Sequence, residues 1–250
     1  ARNSRVEEVF RAALPLNGPV RLLDLASGAG STVAALSGKL RGRQVWFLTD
    51  HDPQLLHVAD TRYSDHAALT INTEILDLAR DLDNLPFRDV DGVTTSAFLD
   101  LVTEQFLRRL VDAVVSSGKP FLASLSYDGR AVCDPVDPLD EEIRQAMNAH
   151  QQTDKGFGAA LGPRAWSVAA ALFCEAGYDV VSGASDWCAG PGNQSFQSAL
   201  LEGWIEASAE TGVAIDELQR WKERRNGEME DGSLSVVVGH QDLVAVPRLL

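Results

Sequence analysis

The sequence has few of the residues that build disulfide frameworks and metal centres. Its 250 residues include three cysteines, Cys133, Cys174 and Cys188, which are scattered along the chain. They are too few and too far apart for a disulfide framework or a Cys-x-x-Cys metal site. The five histidines show no His-x-x-x-His spacing. The sequence therefore predicts no structural metal and a reducing compartment, with the cytoplasm as the expected location.

Positive charge and long apolar runs are also scarce. The chain has 22 Lys and Arg against 36 Asp and Glu, a formal net charge of -14. Nucleic-acid binding depends on basic patches that neutralise phosphates, so this balance argues against a nucleic-acid partner. A basic face over Arg220 to Arg225 stays open as the alternative to a solvated helix. No apolar run approaches the roughly 18 residues of a membrane span, and the start Ala1-Arg2-Asn3 lacks a signal-peptide core. We expect no membrane partner and a small-molecule ligand.

The most informative stretch runs from Val20 to Thr32. The apolar residues around Asp24 predict a short buried parallel strand. Gly28 and Gly30 let the following turn adopt backbone angles that other residues avoid, and the lack of a side chain at Gly30 leaves room for a ligand. Ser31 or Thr32 can cap the helix that follows, and the exposed amides of a helix start favour negative or electron-rich groups. The pattern predicts a strand that delivers a ligand to a helix start.

The glycine spacing separates two classes of nucleotide site. A dinucleotide fingerprint requires Gly-x-Gly-x-x-Gly, but Val33 stands three residues beyond Gly30. This weakens the hypothesis of a nicotinamide-dependent oxidoreductase.

The rest of the chain predicts alternating strands and helices. A helix over residues 4–14 precedes the first strand, and a helix over residues 33–40 follows the glycine turn. The further predicted strands are Gln44 to Thr49, Leu69 to Leu76, Val90 to Ser96 and Pro120 to Leu125, with a helix from about Val102 to Val115 before the last of them. This alternation predicts an α/β fold with a doubly wound, mostly parallel sheet, and ligands in such sheets bind at the carboxyl ends of the strands.

Acids stand at two of those strand ends. Asp50 ends the second strand, about 20 residues past the glycine turn, where an acid can accept hydrogen bonds from ribose hydroxyls. Asp77 occupies the exit of the third strand, with the cap of a loop as its alternative role. Asp52 and Pro53 predict the start of the next helix, with Asp52 as its N-cap.

Several of these segments resemble motifs of one enzyme family, the class I S-adenosylmethionine-dependent methyltransferases. The stretch from Leu22 to Gly30 resembles motif I, the stretch from Leu48 to Leu56 resembles the acidic motif of the second strand, and Leu76-Asp77-Leu78 with Leu85-Pro86-Phe87 resembles the adenine-side motif. Residues 162–166 and 172–180 are similar to the late helix and sixth strand. The resemblance implies a seven-stranded Rossmann-like sheet and S-adenosylmethionine as the cofactor.

The resemblance also assigns roles to single residues. It implies Asp24 near the amino-acid end of the cofactor, Ala26 and Gly28 beneath it, Asp50 on the ribose, Asp77 and Leu78 at the adenine, and Ser96 with Ala97 beside the sulfonium. The full set of implied cofactor-binding residues is Asp24, Ala26, Ser27, Gly28, Gly30, Asp50, His51, Asp77, Leu78, Thr95 and Ser96. Ala26 departs from the pattern, because the family usually begins this turn with glycine.

Other segments exceed the minimum fold. The sequence divides into an N-terminal lid or packing helix (1–19), a cofactor-binding core (20–127), an inserted helix and loop that can form a substrate lid (128–163), and the remainder of the core (164–250). Helical insertions at about 190–230 precede a last strand or hairpin over 233–238 and 243–246. These inserted helices can form a cap over the substrate, or packing helices and a homo-oligomer interface. Trp187, Trp204 and Trp221 are read as core anchors rather than substrate-stacking groups.

The leading functional hypothesis is methyl transfer from S-adenosylmethionine to a small-molecule O, N or S acceptor. The alternatives are a non-catalytic S-adenosylmethionine-binding protein and the nicotinamide oxidoreductase. Methyl transfer needs a general base only if the acceptor must lose a proton, so no catalytic triad is expected. The candidates for a base or substrate clamp are Tyr127, Asp128, His150, Lys155 and Asp186.

Overall fold

A computed structural model describes residues 2–248, and within them eight strands form one sheet. The strands are β1 (Val20–Leu25), β2 (Gln44–Asp50), β3 (Leu69–Ile75), β4 (Gly92–Ser96), β5 (Phe121–Asp134), β6 (Tyr178–Ala184), β7 (Trp187–Ala189) and β8 (Ser235–Pro247). Their order is β3-β2-β1-β4-β5-β8-β6, with β7 also paired to β8. The first four pairings are parallel and those of β8 are antiparallel. The predicted doubly wound, mostly parallel sheet is confirmed.

Two details of the predicted sheet are wrong, namely the number of strands and the end of the fifth strand. The sheet has eight strands instead of seven, because the short β7 joins the far end of β8. Of the two alternatives for residues 233–238 and 243–246, the last strand is confirmed, because both segments belong to the single strand β8, which pairs along the length of β5. The prediction also ended the fifth strand at Leu125, whereas β5 continues to Asp134. Sequence periodicity did not reveal that β5 and β8 form a long antiparallel pair that continues beyond the parallel strands.

Nine helices surround the sheet in the described part of the chain. They are α1 (Ser4–Ala12), α2 (Ser31–Leu36), α3 (Pro53–Tyr63), α4 (Leu78–Asp81), α5 (Glu104–Ser117), α6 (Asp140–Gln151), α7 (Ala165–Glu175), α8 (Gln194–Glu210) and α9 (Ile215–Glu230). As predicted, Asp52 caps α3 by accepting a hydrogen bond from the Gln54 amide. The predicted side-chain cap of α2 is wrong, because Gly30 takes the cap position and no side chain bonds there. No helix among residues 2–248 is both long enough and apolar enough to cross a membrane.

The apolar residues divide into three clusters. Successive side chains of a strand point to opposite faces, so Leu23 and Phe121 join α5 and α7 on one face, while Leu22 and Leu122 join α1, α2 and α3 on the other. The third cluster lies where β5 and β8 extend past the end of β4, and it includes residues of α6, α8 and α9. The inserted helices therefore pack beyond the carboxyl edge of the parallel strands, next to the region where such sheets bind ligands.

Candidate functional site

The glycine turn after β1 contains three residues in the left-handed region. Ala26, Gly28 and Gly30 have φ values of 49°, 52° and 79°. A side chain at Gly28 would meet no atom within 4 Å, whereas a Cβ at Gly30 would lie 2.9 Å from the Tyr63 ring. The expectation that Gly30 leaves room for a ligand is therefore corrected: it leaves room for α3, and the Tyr63 hydroxyl donates to the Gly30 carbonyl at 3.0 Å.

Asp50 connects the end of β2 to this turn. Its Oδ2 accepts a hydrogen bond from the Gly28 amide at 2.8 Å, and its Oδ1 accepts one from the Asp52 amide at 3.0 Å. The carboxylate is 6% exposed. Each carboxylate oxygen has two acceptor sites, so the pair can hold the turn and still accept hydrogen bonds from a diol.

A cavity of about 520 Å³ opens above the turn. It is lined by six of the predicted cofactor-binding residues, namely Ala26, Gly28, Asp50, His51, Asp77 and Leu78. Further lining comes from Leu55, Leu76, Ala97, Phe98, Leu101, Lys155, Gly156 and Phe157. Asp77 also caps α4, because its side chain accepts a hydrogen bond from the Ala79 amide at 3.0 Å. The ligand and cap roles considered for Asp77 are thus compatible.

The other predicted cofactor residues lie outside the cavity lining. They are Asp24, Ser27, Gly30, Thr95 and Ser96. Thr95 is buried and its hydroxyl donates to the Leu25 carbonyl at 2.9 Å, so it holds β4 against β1. The side chain of Ser96 accepts a hydrogen bond from the Arg2 guanidinium at 3.2 Å. These residues form the support beneath the cavity.

Asp24 is fully buried in that support. Thr94 Oγ1 donates to its Oδ1 at 2.7 Å, while Oδ2 has no hydrogen-bond partner within residues 2–248. Burial raises the pKa of Asp24 to about 7, and the nearby Arg2 guanidinium acts in the opposite direction. Sequence reasoning missed both Thr94 and Arg2, since Arg2 precedes any recognisable motif.

A second cavity, of about 400 Å³, adjoins the first and shares Ala97 with it. Tyr127 and His150, two of the predicted catalytic candidates, line this second cavity. Lys155, the third, lines the first cavity, but its Nζ lies 3.5 Å from the His150 ring nitrogens. The structure thus brings Lys155 of the first cavity into contact with His150 of the second, while Tyr127 lines the second cavity. The Tyr127 hydroxyl is bonded to Asn148, and burial raises its pKa to about 12.

Asp128 and Asp186, the remaining base candidates, form an ion cluster with Arg130. The Arg130 guanidinium contacts Asp128 Oδ2 at 2.6 Å and Asp186 Oδ1 at 2.7 Å. The hydrogen bond to Arg130 lowers the pKa of Asp186. Neither carboxylate lines either cavity. Through Arg130, the cluster connects β5 to Asp186 in the segment before β7.

Among residues 2–248, three residues other than glycine have a left-handed backbone, and all three line the cavities. Ala26 lines the first cavity, Leu125 the second and Ala97 both. Such a backbone is unfavourable for residues with a Cβ, and strained residues of this kind cluster at functional sites. The strained backbone positions therefore coincide with the lining of the two cavities.

The strain at Ala26 gives a first testable prediction. A left-handed backbone costs an L-residue about 1–2 kcal/mol, and a new glycine costs about 0.4–1 kcal/mol in chain entropy. We therefore expect Ala26→Gly to raise the free energy of unfolding by about 0.5–1 kcal/mol, measured by urea denaturation. Ala29→Gly is the matched control, because Ala29 is not among the left-handed residues. It should lower stability by about 0.5–1 kcal/mol; equal effects of both variants would refute the strain.

Sequence reasoning missed much of the second cavity. Asp100 follows β4 closely, and its position after a strand end was a usable signal. Trp204 and His240 lie on α8 and β8, and no local motif marks them as site residues. Trp221 and Trp204 belong to the third cluster, as predicted, but Trp204 and Trp187 also line the second cavity. Within residues 2–248 no group of three or more His, Cys, Asp or Glu is placed to hold a metal ion.

The sheet order, with parallel strands β3-β2-β1-β4-β5 followed by the antiparallel β8 and β6, is that of a Rossmann-like α/β fold, and solved structures that include S-adenosylmethionine-dependent methyltransferases share this fold. The YcgJ protein of Bacillus subtilis aligns with a TM-score of 0.55 at 14% identity, over 99% of this chain and 100% of that protein. A candidate methyltransferase of Bacillus halodurans aligns with a TM-score of 0.53 at 17% identity, over 98% and 100%. A methyltransferase of this class from Methanosarcina mazei aligns with a TM-score of 0.50 at 11% identity, over 94% and 95%.

The likeness to these proteins is one of fold. No known family matches the chain by its sequence profile, and no curated protein matches it. With identities of 11% to 17%, the alignments establish the architecture, and the activity has to be argued from the site.

Proposed function

We propose that this protein is an S-adenosylmethionine-dependent methyltransferase with a small-molecule acceptor. One observation carries the proposal: two cavities meet at Ala97, and the first of them is lined by the residues that resemble the cofactor motifs. A donor site and an acceptor site must adjoin for direct transfer between bound molecules. The contact between the cavities supports a catalyst over a protein that only binds the nucleoside.

The residues of the first cavity fit the cofactor. The Asp50 carboxylate can accept hydrogen bonds from ribose hydroxyls, and Leu55, Leu76 and Leu78 give the apolar walls that a purine ring requires. The Arg2 guanidinium donates to Ser96 Oγ at 3.2 Å, and its Nη1 is buried without a partner among the described residues. In this proposal Arg2 binds the carboxylate of the cofactor.

S-adenosylmethionine, when bound, supplies a methyl group on an activated sulfonium for in-line displacement. The contribution of the protein is to position the acceptor and to exclude water. Lys155, Gly156 and Phe157 belong to the loop that lines the first cavity, and Phe157 packs against Phe98 and Phe106 with ring centroids 5.6 and 4.7 Å apart. In our proposal this loop covers the cofactor and separates it from solvent.

Titration with S-adenosylhomocysteine and with NADH, followed by calorimetry, tests the cofactor class. We expect binding of S-adenosylhomocysteine and none of NADH, because the third glycine of the dinucleotide turn is Val33. Binding of NADH alone would replace the proposal with an oxidoreductase. Methyl-transfer assays over a panel of acceptors then separate a catalyst from a binding protein.

The role of Asp50 is tested by substitution. Asp50→Ala is expected to weaken S-adenosylhomocysteine binding by about 1–3 kcal/mol, because charge-assisted hydrogen bonds to the ribose and the Gly28 amide contact are lost. Asp52→Ala is the matched control: it removes the same charge two residues away, from a side chain that caps α3 outside the cavity. Calorimetric affinity should fall in the first variant only. Unchanged affinity of Asp50→Ala would place the ribose partner elsewhere.

A further inference from the structure

The second cavity has a charge and shape of its own, and this inference rests on the proposed function. We propose that it binds an organic ammonium ion as methyl acceptor, held by the Asp100 carboxylate and surrounded by aromatic rings. Its walls come from the inserted helices and from the long strands β5 and β8, while Ala97 connects it to the first cavity. The acceptor class is therefore set by segments outside the cofactor motifs.

The charged lining of this cavity is acidic. Asp100, Glu206 and Glu210 line it, and no Lys or Arg does so among the described residues. His150 Nε2 lies 3.0 Å from Glu210 Oε2, so this imidazole is paired with an acid at the wall, and Lys155 Nζ of the first cavity lies 3.5 Å from the same ring. Burial lowers the pKa of His240, so that ring is neutral at neutral pH. Low-dielectric walls of one sign favour a ligand of the opposite sign.

Asp100 is the buried member of this acidic set. The residue is 7% exposed, and its Oδ1 is shielded from solvent without any hydrogen-bond partner within residues 2–248. A buried carboxyl oxygen without a partner is unfavourable, and the penalty disappears when a donor arrives. Glu206 and Glu210 are exposed and lie at the rim. The arrangement points to Asp100 as the partner of the ammonium group.

Aromatic rings form much of the remaining wall. The lining includes Tyr127, Trp187, Trp204 and His240. The ring centroids of Trp187 and His240 are 4.5 Å apart, and those of Tyr127 and His240 are 6.2 Å apart. Aromatic faces attract cations, most strongly where water is excluded. The rings and the carboxylate thus select the same kind of ligand, an amine that carries an apolar or aromatic group.

The same carboxylate can prepare an amine for methylation. A protonated amine has no lone pair, so it must lose a proton before its nitrogen can attack. In our proposal that proton passes from the ammonium nitrogen to a carboxylate oxygen of Asp100, which leaves a neutral amine and a neutral carboxylic acid. Burial raises the pKa of Asp100 to about 6, against the effect of the nearby amides of Asp100 and Tyr127, so the group can both accept and release a proton near neutrality.

Three probes of nearly equal shape and different charge test the inference: phenethylamine, 2-phenylethanol and 3-phenylpropionate. Calorimetry on the full chain, without a methyl donor, should show the amine binding at least about tenfold more tightly than the alcohol and the carboxylate. Asp100→Asn should remove that preference, while Asp112→Asn, a change on the exposed face of α5, should keep it. If Asp100→Asn does not fold, the double variant Glu206→Gln, Glu210→Gln should reduce the preference instead.

The outcomes separate this inference from the proposed function. S-adenosylhomocysteine is titrated into the same samples, and its binding reports on the first cavity alone. Binding of S-adenosylhomocysteine without any binding of phenethylamine would overturn the ammonium site and keep the methyltransferase proposal. Equal binding of the three probes would also overturn the ammonium site, because it would show no preference for positive charge. Tighter binding of 3-phenylpropionate would overturn it as well and would indicate Lys155 as the partner of an anion. Amine binding without S-adenosylhomocysteine binding would support the site and reject the proposed function.

Discussion

Replacement of Arg225 by alanine is expected to lower the free energy of unfolding by about 3–5 kcal/mol, because the fully buried guanidinium would be lost and the partly buried acids Asp140 and Glu228 would lose their countercharge. The Arg225 side chain is 0% exposed. Its guanidinium contacts Asp140 Oδ1 at 2.5 Å and Glu228 Oε2 at 2.6 Å, and it donates to the Pro135 carbonyl at 2.7 Å. These contacts join α9 to α6 and to the end of β5, which are elements around the second cavity.

Urea denaturation of Arg225→Ala beside Arg220→Ala checks this prediction. Arg220 lies on the same helix and pairs with Asp216, but the two side chains are 58% and 72% exposed. Exposed pairs contribute little, so the control variant should lose about 0.5 kcal/mol or less. Similar losses in the two variants would mean that the buried cluster does not stabilise the inserted helices. Where Arg225→Ala stays folded, phenethylamine binding should weaken while S-adenosylhomocysteine binding persists.

Asp24→Asn is expected to gain stability relative to the unchanged protein as the pH rises from 5 to 8, by about 2–3 kcal/mol. Burial raises the pKa of Asp24 to about 7 in the folded protein, whereas an unfolded aspartate has a pKa of about 3.9. Between these values the folded state binds more protons than the unfolded state, so stability falls as the pH rises. Below the pKa of the unfolded state the carboxyl is protonated in both states, so this carboxyl no longer makes stability depend on pH.

The measurement is the free energy of unfolding in urea at pH 5, 6, 7 and 8 for both proteins. Other groups, such as Asp137 with its lowered pKa, act equally in both, so only the difference between the curves reports on Asp24. Asp112→Asn, at an exposed position, should give a difference that does not vary with pH. A constant difference for Asp24→Asn would mean that the carboxyl is ionised throughout, and that Thr94 and Arg2 compensate its burial.

The parallel half of the sheet could be predicted from local patterns. The apolar runs of β1, β2 and β3 are followed by Gly28, Asp50 and Asp77, and this pattern predicts strands that end in polar turns. The carboxyl ends of parallel strands meet at one edge, so the cavity lined by Gly28, Asp50 and Asp77 followed from strand order alone. Asp52 as the cap of α3 followed from its position before Pro53.

Residue roles were harder to predict than residue positions. Gly30 matches the motif, but its missing side chain makes room for Tyr63 instead of a ligand. Thr95 is among the implied cofactor-binding residues, yet its hydroxyl donates to the Leu25 carbonyl. Asp24 stands in the motif and is sealed beneath the turn with a pKa of about 7. A motif fixes where the chain turns, while neighbours from distant segments determine what each side chain contacts.

By itself, the sequence determined the order of the first five strands, the glycine turn and the acids at the strand ends, because these depend on residues that are close along the chain. Only the tertiary structure decided that β8 is one long strand paired along the whole of β5. It also decided that Asp100, Trp204 and His240 line one cavity, although more than 30 residues separate each from the next. The physical reason is that side-chain burial and pairing are set by packing between segments that no local periodicity connects.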